Sequence, residues 1–335
     1  MIKKIGMILL LGLLLLLAAC GTSDEEASGS LGVSEDEADH IVGVIQHVEH
    51  PSLDEATKGF KNALVDAGLK VYFEDENAQG DAKNNQSIAD KFVGDNVDLI
   101  FANATPSAQS ALNETTEIPI VFTSVTDPVG AGLVASMENP GGNVTGTSDS
   151  NPDAIPSTMQ LIKDMGYENV GMVYNAGEQN SVTQIDQAKE SAEELGLTVK
   201  EATVSTSADV KQAAESLVGS VDVFYIITDN TVVSSLESVI MVSESESLPL
   251  FVGELDSVKR GGFAAYGFSY YDIGYEAGEK AVQILKGEKT AGEIPATFPQ
   301  NLVLEINEDA AANMGVELTD ELKEKAKLVK TQQEE

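Results

Sequence analysis

The 335-residue sequence contains one cysteine, three histidines and no tryptophan. A single cysteine excludes an intramolecular disulfide framework and a cysteine-based zinc site. Basic residues are also scarce, with 20 Lys and Arg against 55 Asp and Glu, which gives a formal net charge of −35. An acidic excess of this size repels phosphate backbones and anionic lipid headgroups, so the composition argues against nucleic-acid binding and against a polybasic membrane-surface role.

The N-terminus has the organisation of an export signal. Lys3 and Lys4 precede an apolar run over residues 5–17, which is short for a membrane span but typical of a signal-peptide core. The run ends in two alanines followed by Cys20, which resembles the bacterial lipobox, where the cysteine is diacylated and the chain is cut just before it. We expect a signal peptide over residues 1–19 and a lipid anchor at Cys20. The alternative is a plain signal peptide followed by an unrelated cysteine.

Residues 20–39 are rich in Gly, Ser, Ala, Asp and Glu and have almost no large apolar side chains. Such a segment cannot bury enough surface to offset its conformational entropy, so we expect a disordered, lipid-anchored tether. Folding is expected to begin at His40. The remaining chain is long enough for about two domains, each with its own core.

From His40 onward, apolar runs alternate with amphipathic stretches. Residues 41–45, 69–73, 97–101 and 118–122 read as buried strands, and helical spacing of apolar residues separates them. One such helix runs up to Gly68, a candidate C-cap. Alternating strands and helices imply right-handed crossovers and mostly parallel sheets of the α/β class.

The second half of the chain repeats the first. Residues 170–173 resemble residues 42–45, and Gly171 and Gly196 are 25 residues apart, as are Gly43 and Gly68. Two later strand patterns also match in the same order. General likeness between α/β units is the alternative, but four ordered matches favour two similar, doubly wound lobes. Ligands of open sheets lie beyond the carboxyl ends of the strands, so the lobes are expected to face each other across a polar cleft.

Several motifs together resemble the substrate-binding lipoproteins of ABC importers, in the branch that includes tryptophan/tyrosine-type uptake systems. The motifs are the lipobox, the duplicated lobes and the stretches NATPSAQ at 103–109, VTDPV at 125–129, NPGGNVTG at 139–146, YG at 266–267 and YYDIG at 270–274. The resemblance covers residues 40–304. It implies a type I periplasmic-binding-protein fold whose lobes are joined by three crossing segments and close on a ligand.

With that fold, residues 40–147 plus 270–330 form the N-terminal lobe and residues 148–269 the C-terminal lobe. The crossings are expected near residues 146–149, near 267–270, and between the last long helix and Asn301. The resemblance also implies an extracytoplasmic, monomeric protein on the outer face of the cytoplasmic membrane. It would deliver a small polar ligand, expected to be an aromatic amino acid, to an ABC permease and its ATPase. No cofactor and no metal are expected.

The ligand's carboxylate would be met by hydroxyls and backbone N–H groups. Thr105 and Ser107 open a helix whose N-terminus can hold an anion, and Ser124 and Thr126 could complete the site from the next loop. The alternatives are N-capping for the first pair and turn formation for the second. Arg260, the only arginine, is not needed for this site.

The ligand's ammonium would need a carboxylate. Asp229 directly follows an apolar strand and is the first candidate, although it could instead cap the next helix. Weaker candidates are Asp127, Asp149 and Glu254. Further candidates in the cleft loops are Asn175, Asn230 and His47.

Two aromatic residues, Tyr225 and Tyr266, could stack on an aromatic ligand, although an aromatic on a strand is more often part of the core. His47 and His50 could suggest a metal site, but converging ligands are lacking.

Two other functions stay open at this stage. A Rossmann-like or flavodoxin-like enzyme is disfavoured, because the sequence has no dinucleotide fingerprint, phosphate loop, nucleophile elbow or evident nucleophile and base pair. A ligand sensor with the same fold is not separated from a transporter component by sequence alone.

Overall fold

Two mostly parallel sheets organise the part of the chain that the structure, a computed structural model, describes, residues 31–332. The predicted signal peptide, Cys20 and most of the predicted tether lie outside these residues. The first sheet contains β1 (His40–Gln46), β2 (Val71–Asn77), β3 (Leu99–Asn103), β4 (Ile120–Val125) and β5 (Val144–Ser148). All its neighbouring strands are parallel, in the spatial order β2-β1-β3-β4-β5.

The second sheet repeats this order and extends it. Its strands are β6 (Asn169–Asn175), β7 (Thr198–Val204), β8 (Val223–Ile226), β9 (Leu250–Val252), β10 (Ala264–Gly267), β11 (Val303–Asn307) and β12 (Lys327–Val329). The spatial order is β7-β6-β8-β9-β10-β11-β12, with β11 antiparallel to β10. The first five strands of each lobe therefore share one arrangement, and the prediction of two similar α/β lobes is confirmed.

Helices cover both sheets. The α-helices, in chain order, are α1 (Pro51–Asp66), α2 (Ala82–Asp95), α3 (Thr105–Glu114), α4 (Ala154–Asp164), α5 (Gln179–Leu195), α6 (Val210–Leu217), α7 (Asn230–Val233), α8 (Leu236–Glu246), α9 (Leu255–Arg260), α10 (Tyr270–Leu285), α11 (Glu308–Asn313) and α12 (Asp320–Lys325). Single 3₁₀ turns lie at Glu35–Glu37, Ser207–Asp209 and Ala291–Glu293. Amphipathic spacing explains how the α-helices pack on the sheets. The buried face of α1, for example, contains Leu53, Ala56, Phe60, Ala63 and Leu64.

Equivalent glycines hold equivalent positions in the two lobes. Gly68 and Gly196 follow the helices α1 and α5 with φ of +75° and +66°, a left-handed conformation that glycine adopts without steric cost. On the strands, a Cβ at Gly43 would lie 2.4 Å from the ring of Phe92. The duplicated sequence thus preserves backbone requirements as well as apolar spacing.

Residues 33–39 are part of the folded lobe, contrary to the prediction that the tether extends to Asp39. The N–H of Val33 donates to the carbonyl of Val71 at 3.0 Å, and the N–H of Asp39 donates to the carbonyl of Lys70 at 2.9 Å. These backbone groups find partners beside β2, which a composition poor in apolar residues does not reveal.

The chain passes between the lobes three times, over residues 149–153, 268–269 and 298–302. The last passage carries β11 and β12 into the second sheet, so assigning all of residues 270–330 to the N-terminal lobe is wrong for residues 303–329. In contrast, α10 returns to the first lobe and packs along α1. Close backbone approach requires glycine there, because a Cβ at Gly274 would lie 1.9 Å from the carbonyl oxygen of Ala56.

Candidate functional site

The loops at the carboxyl ends of the two sheets face each other and are joined by hydrogen bonds. Ser52, on α1 of the first lobe, donates to the carboxylate of Glu254 on the second lobe. Gln184 of α5 donates through Nε2 to Oγ1 of Thr126 at 3.1 Å. The lobes therefore meet along the edge where the duplicated fold places its ligand loops.

The first-lobe side of this cleft presents hydroxyl groups without partners. Thr105 Oγ1 and Ser124 Oγ are buried and make no hydrogen bond to any described residue, and the side chains are only 1% and 5% exposed. The backbone beside them is constrained, since Ala104 has φ of +86° and Ser124 has φ of +56°. Ser124 lies where the register between β4 and β5 shifts. Non-glycine residues in such conformations are concentrated at functional sites.

Thr105 also begins α3, whose first N–H groups point out of the helix. A helix N-terminus carries partial positive charge and free N–H donors, so it favours an anion. Together with the two unpartnered hydroxyls, it forms a neutral set of donors suited to a carboxylate. The predicted roles of Thr105 and Ser124 in binding a carboxylate stay predictions.

Ser107 and His47 are joined through a third residue, Asn85 of α2. Oγ of Ser107 donates to Oδ1 of Asn85 at 2.9 Å, and Nδ2 of Asn85 lies 2.8 Å from Nδ1 of His47. All three side chains are buried. The hydroxyl of Ser107 is thus occupied within the first lobe, while His47 lies at the cleft.

On the second lobe, Asp229 is held by its own lobe. Its carboxylate accepts from the N–H of Val232 and the N–H of Asn175, each at 2.7 Å, and from the hydroxyl of Ser181 at 2.7 Å. The first of these contacts caps α7. Burial and the neighbouring Glu178 raise the pKa of Asp229 to about 7. The helix-capping alternative therefore describes this residue, and its oxygens are already supplied with donors.

Glu178 is a buried carboxylate that the sequence analysis did not single out. It accepts from Asn230 Nδ2 at 2.6 Å and from Thr231 Oγ1 at 2.7 Å, besides the backbone N–H groups of both residues. The same carboxylate receives a weaker bond from Asn175. Asn175 and Asn230 therefore order the second-lobe edge by binding Glu178.

Asp149 and Glu254 have fewer donors. Asp149 accepts from Thr126 at 3.0 Å and from the hydroxyl of Tyr270 at 2.9 Å, and Glu254 accepts from Ser52 alone among the described side chains. Burial raises the pKa of Asp149 to about 6 and that of Glu254 to about 8. The charge of Asp149 adds a small contribution to the raised pKa of Glu254. A cation between them would remove this cost.

The two described histidines nearby do not supply such a cation. Burial lowers the pKa of His50 to about 3, and burial also lowers the pKa of His47. Arg260 is bound to Glu237 by two hydrogen bonds of 2.8 Å and to the carbonyl of Val233. The cleft thus combines buried carboxylates with neutral histidines.

Two predicted residues lie elsewhere. Asp127 forms a turn, accepting from the N–H of Gly130 at 2.8 Å. Tyr266 lines a separate groove of about 730 Å³ on the second lobe, between α4 and α12. Tyr225, in contrast, borders a small cavity in the cleft together with Phe268, Gln184, Thr126 and Asp149.

Other cleft residues escaped the sequence analysis although some signal was present. Asn85 lies on the apolar stripe of α2 with Ile88, Ala89 and Phe92, and a polar residue at a core position is a reason to look for a partner. Asn180 and Gln184 are one helical turn apart on α5, and both are buried. Asn180 Oδ1 has no described partner, nor has His50 Nδ1.

Within residues 31–332, no three His, Cys, Asp or Glu side chains are grouped so that they could hold a metal ion. None of the helices in the same range has both the length and the apolar character needed to cross a membrane.

Two solved structures are similar to this chain over most of its length. An ABC domain from Streptococcus pneumonia in complex with L-Trp has a TM-score of 0.82 at 31% identity, covering 87% of this chain and 99% of that one. A ligand-free, open substrate-binding protein with adhesive properties from Clostridium difficile has a TM-score of only 0.65 at 40% identity, covering 88% and 100%. Of these two, the more similar sequence has the less similar structure.

Other proteins and a family model match the chain over most of its length. A tyrosine-binding protein of Clostridioides difficile strain R20291 is 43% identical over 316 residues, or 92% of this chain and 91% of the relative. A conserved domain protein from Vibrio cholerae is 38% identical with a TM-score of 0.83, covering 86% of this chain and 99% of that one. The family model for ABC transporter substrate binding proteins matches residues 41–330. The chain therefore belongs to the family of ABC transporter substrate binding proteins.

Proposed function

We propose that this protein is the extracytoplasmic binding component of an ABC importer and captures an aromatic amino acid by closure of its two lobes. The ligand would then be handed to the permease and its ATPase. The family supports the transport role. The names of a tyrosine-binding relative and of an L-Trp complex support the class of ligand.

The observation that carries the ligand assignment is the division of charge in the cleft. Thr105 and Ser124 offer unpartnered buried hydroxyls beside a helix N-terminus, whereas Asp149 and Glu254 are buried carboxylates with fewer donors than Asp229 and Glu178. An amino-acid zwitterion has a carboxylate for the first set and an ammonium for the second. Buried charges are stabilised only when paired and hydrogen-bonded, so each set supplies what the other end of the zwitterion needs.

The side chain of the ligand would lie against aromatic surface. Phe268 and Tyr270 stack with ring centroids 5.6 Å apart, and Phe268 shares the cleft cavity with Tyr225. Aromatic pairs in offset or edge-to-face arrangements gain about 0.5–1.5 kcal/mol beyond their buried area. This surface favours an aromatic over a small aliphatic side chain.

Titration calorimetry can test the proposal with L-tyrosine, L-tryptophan and L-phenylalanine against two analogues of L-tyrosine. Tyramine lacks the carboxylate, and 3-(4-hydroxyphenyl)propionate lacks the ammonium. Each analogue is expected to bind at least about 30-fold more weakly, because one end of the cleft keeps uncompensated groups. Equal affinities for L-tyrosine and both analogues would overturn zwitterion recognition, and no response to any aromatic amino acid would overturn the ligand class.

The proposal includes attachment to the membrane through a lipid on Cys20. The lipobox-like sequence supports it, and the chain has no other thiol. Cys20→Ala is therefore expected to block acylation and cleavage at this position. Membrane fractionation of cells making either form measures the outcome, and a variant that matures and anchors like the wild type would rule the anchor out.

A further inference from the structure

The buried chain Ser107–Asn85–His47 fixes which nitrogen of His47 carries the proton. Asn85 Nδ2 lies 2.8 Å from His47 Nδ1 and 3.4 Å from the carbonyl oxygen of Asp81, while Asn85 Oδ1 accepts from Ser107 at 2.9 Å. Reversing the amide would place its oxygen against the Asp81 carbonyl, where neither atom can donate. The NH₂ group of Asn85 therefore faces His47 and donates to Nδ1.

A neutral imidazole that accepts at Nδ1 carries its proton at Nε2. His47 is neutral because burial lowers its pKa, although two nearby carboxylates, Glu178 across the cleft and Asp81 on its own lobe, act in the other direction. His50, the remaining titratable neighbour, is neutral as well. Nε2 makes no hydrogen bond to any described residue, so the ring presents a free N–H donor.

This donor stands with the other groups suited to an anion. The N–H of His47 bonds to the carbonyl of Asn103, the last residue of β3, and Ser107 in the first turn of α3 anchors the Asn85 relay. The strand end, the helix N-terminus with Thr105, and the histidine are thus neighbours at one end of the cleft. These side-chain and backbone donors are neutral, so a carboxylate bound to them is held by hydrogen bonds.

We propose that His47 donates its Nε2–H to the ligand carboxylate and that Asn85 is a positioning residue that sets the tautomer of His47. The inference rests on the proposed amino-acid ligand and adds two residues to its recognition. It also assigns Ser107 an indirect role, since its hydroxyl orients Asn85 rather than the ligand.

The tautomer can be measured without any ligand. The chain has three histidines, so the ¹⁵N imidazole signals are assignable by His→Gln substitution. The signal pattern of His47 is expected to be that of the Nε2–H tautomer at pH 7.5. Asn85→Asp replaces a donor by an acceptor, so the proton is expected to move to Nδ1 or a second proton to be bound. Asn113→Asp, at an exposed position of α3, is the matched control and should leave the pattern unchanged. The Nδ1–H tautomer in the wild type would overturn the role of Asn85.

The ligand contact is tested by titrating His47→Leu and His47→Gln with L-tyrosine and with tyramine. His47→Leu is expected to lower the affinity for L-tyrosine about tenfold or more, as for a lost hydrogen bond to a charged group, and to change tyramine binding little. His47→Gln keeps an N–H donor and should recover part of the loss. Unchanged L-tyrosine affinity in His47→Leu would overturn the contact, whereas failure of the wild type to bind any aromatic amino acid would instead overturn the proposed function.

Discussion

The two lobes share a strand order and a set of cleft loops but use different chemistry at the cleft. In the first lobe, Thr105 follows β3 at a helix N-terminus and Ser124 lies near the end of β4, and neither hydroxyl has a described partner. In the second lobe, the residues after β6 and β8 form a network in which Glu178 and Asp229 receive donors from Asn175, Asn230 and Ser181. The first-lobe edge therefore has hydroxyl donors available for a ligand, while the polar groups of the second-lobe edge are largely hydrogen-bonded to one another.

The difference shows that a duplicated fold preserves the position of a site without preserving its charge. Both lobes place polar loops at the carboxyl ends of parallel strands, as this topology requires. In the first, the buried hydroxyls of Thr105 and Ser124 have no partner among the described residues. The carboxylates that stay short of donors are Glu254, after β9, and Asp149, in the first crossing segment. An asymmetric pair of edges suits an asymmetric ligand with one charge of each sign.

The largest effect on ligand binding is expected from neutralising Asp149 or Glu254, the buried carboxylates with the fewest hydrogen-bond donors. Asp149→Asn and Glu254→Gln each remove a proposed partner of the ligand ammonium, and we expect binding of L-tyrosine to weaken by about 2–4 kcal/mol. Titration calorimetry measures the change. Asp127→Asn, at an exposed turn of the first lobe, is the control and should bind as the wild type does.

Asp229→Ala tests the other side of the comparison, a carboxylate that is bound within its own lobe. Because Asp229 caps α7 and binds Ser181, removing its carboxylate is expected to lower the free energy of unfolding by about 1–2 kcal/mol, measured by thermal or urea denaturation. Binding should fall less than in Asp149→Asn. If Asp229→Ala abolishes binding in a folded protein while Asp149→Asn and Glu254→Gln bind normally, the ammonium lies on the second-lobe network instead.

The next effect concerns the first-lobe hydroxyls. Thr105→Val keeps the shape of the side chain and Ser124→Ala removes only the oxygen, so each is expected to weaken L-tyrosine binding by about 1–2 kcal/mol through one lost hydrogen bond to a carboxylate. Tyramine, which has no carboxylate, should bind both variants as it binds the wild type. Thr116→Val, in the exposed loop after α3, is the matched control. Losses of equal size for L-tyrosine and tyramine would mean that the hydroxyls support the structure and not the carboxylate.

The sequence was sufficient for the repeated strands and for the loops that meet at the cleft, because apolar spacing and glycine positions are local signals. It was not sufficient for β11, whose Glu305 is buried and paired with Lys327 of β12 at 2.6 Å, a pattern that does not read as a core strand. Among the site residues, Thr105 begins a helix as predicted, whereas Ser124 lies inside β4 and not in the loop after it, and the ligand contacts of both stay predictions. The role of Asp229 depended on how many hydrogen-bond donors surround it, which only the tertiary structure determines. Alternation along β10 does not tell which face of the sheet carries the side chain of Tyr266.

A smaller effect is expected in the pH dependence of stability, because the buried carboxylate of Glu254 has few hydrogen-bond donors. The pKa of Glu254 is raised from 4.5 to about 8, so the folded protein binds more protons than the unfolded chain between these values. Its stability is therefore expected to fall as pH rises through this window. The lowered pKa values of His47 and His50 act in the opposite direction, but only below about pH 6.5, where the unfolded histidines titrate.

The measurement is the melting temperature of the ligand-free protein between pH 6.5 and 8.5. It should fall with rising pH in the wild type and fall less in Glu254→Gln. Asp229 contributes with the same sign, because its pKa is raised as well, so some slope should persist in the variant. Saturating L-tyrosine should flatten the slope, since its ammonium stabilises the ionised carboxylate. A slope that is identical in wild type and Glu254→Gln would contradict the burial of an uncompensated Glu254.

The smallest effect is expected from the hydrogen bond that joins the two edges directly. Ser52 of the first lobe donates to Glu254 of the second, so the bond exists only when the lobes are closed. Ser52→Ala removes the donor and should weaken L-tyrosine binding by about 1 kcal/mol or less, or roughly fivefold, because the ligand ammonium still pairs with Glu254. Ser87→Ala, on the exposed face of α2, is the control.

Small-angle scattering adds the structural readout. The radius of gyration should decrease when L-tyrosine binds to wild type and to Ser52→Ala alike, because the ligand and not this bond is expected to provide most of the closure energy. A radius that decreases in the wild type but not in Ser52→Ala would show that the hydrogen bond itself drives closure.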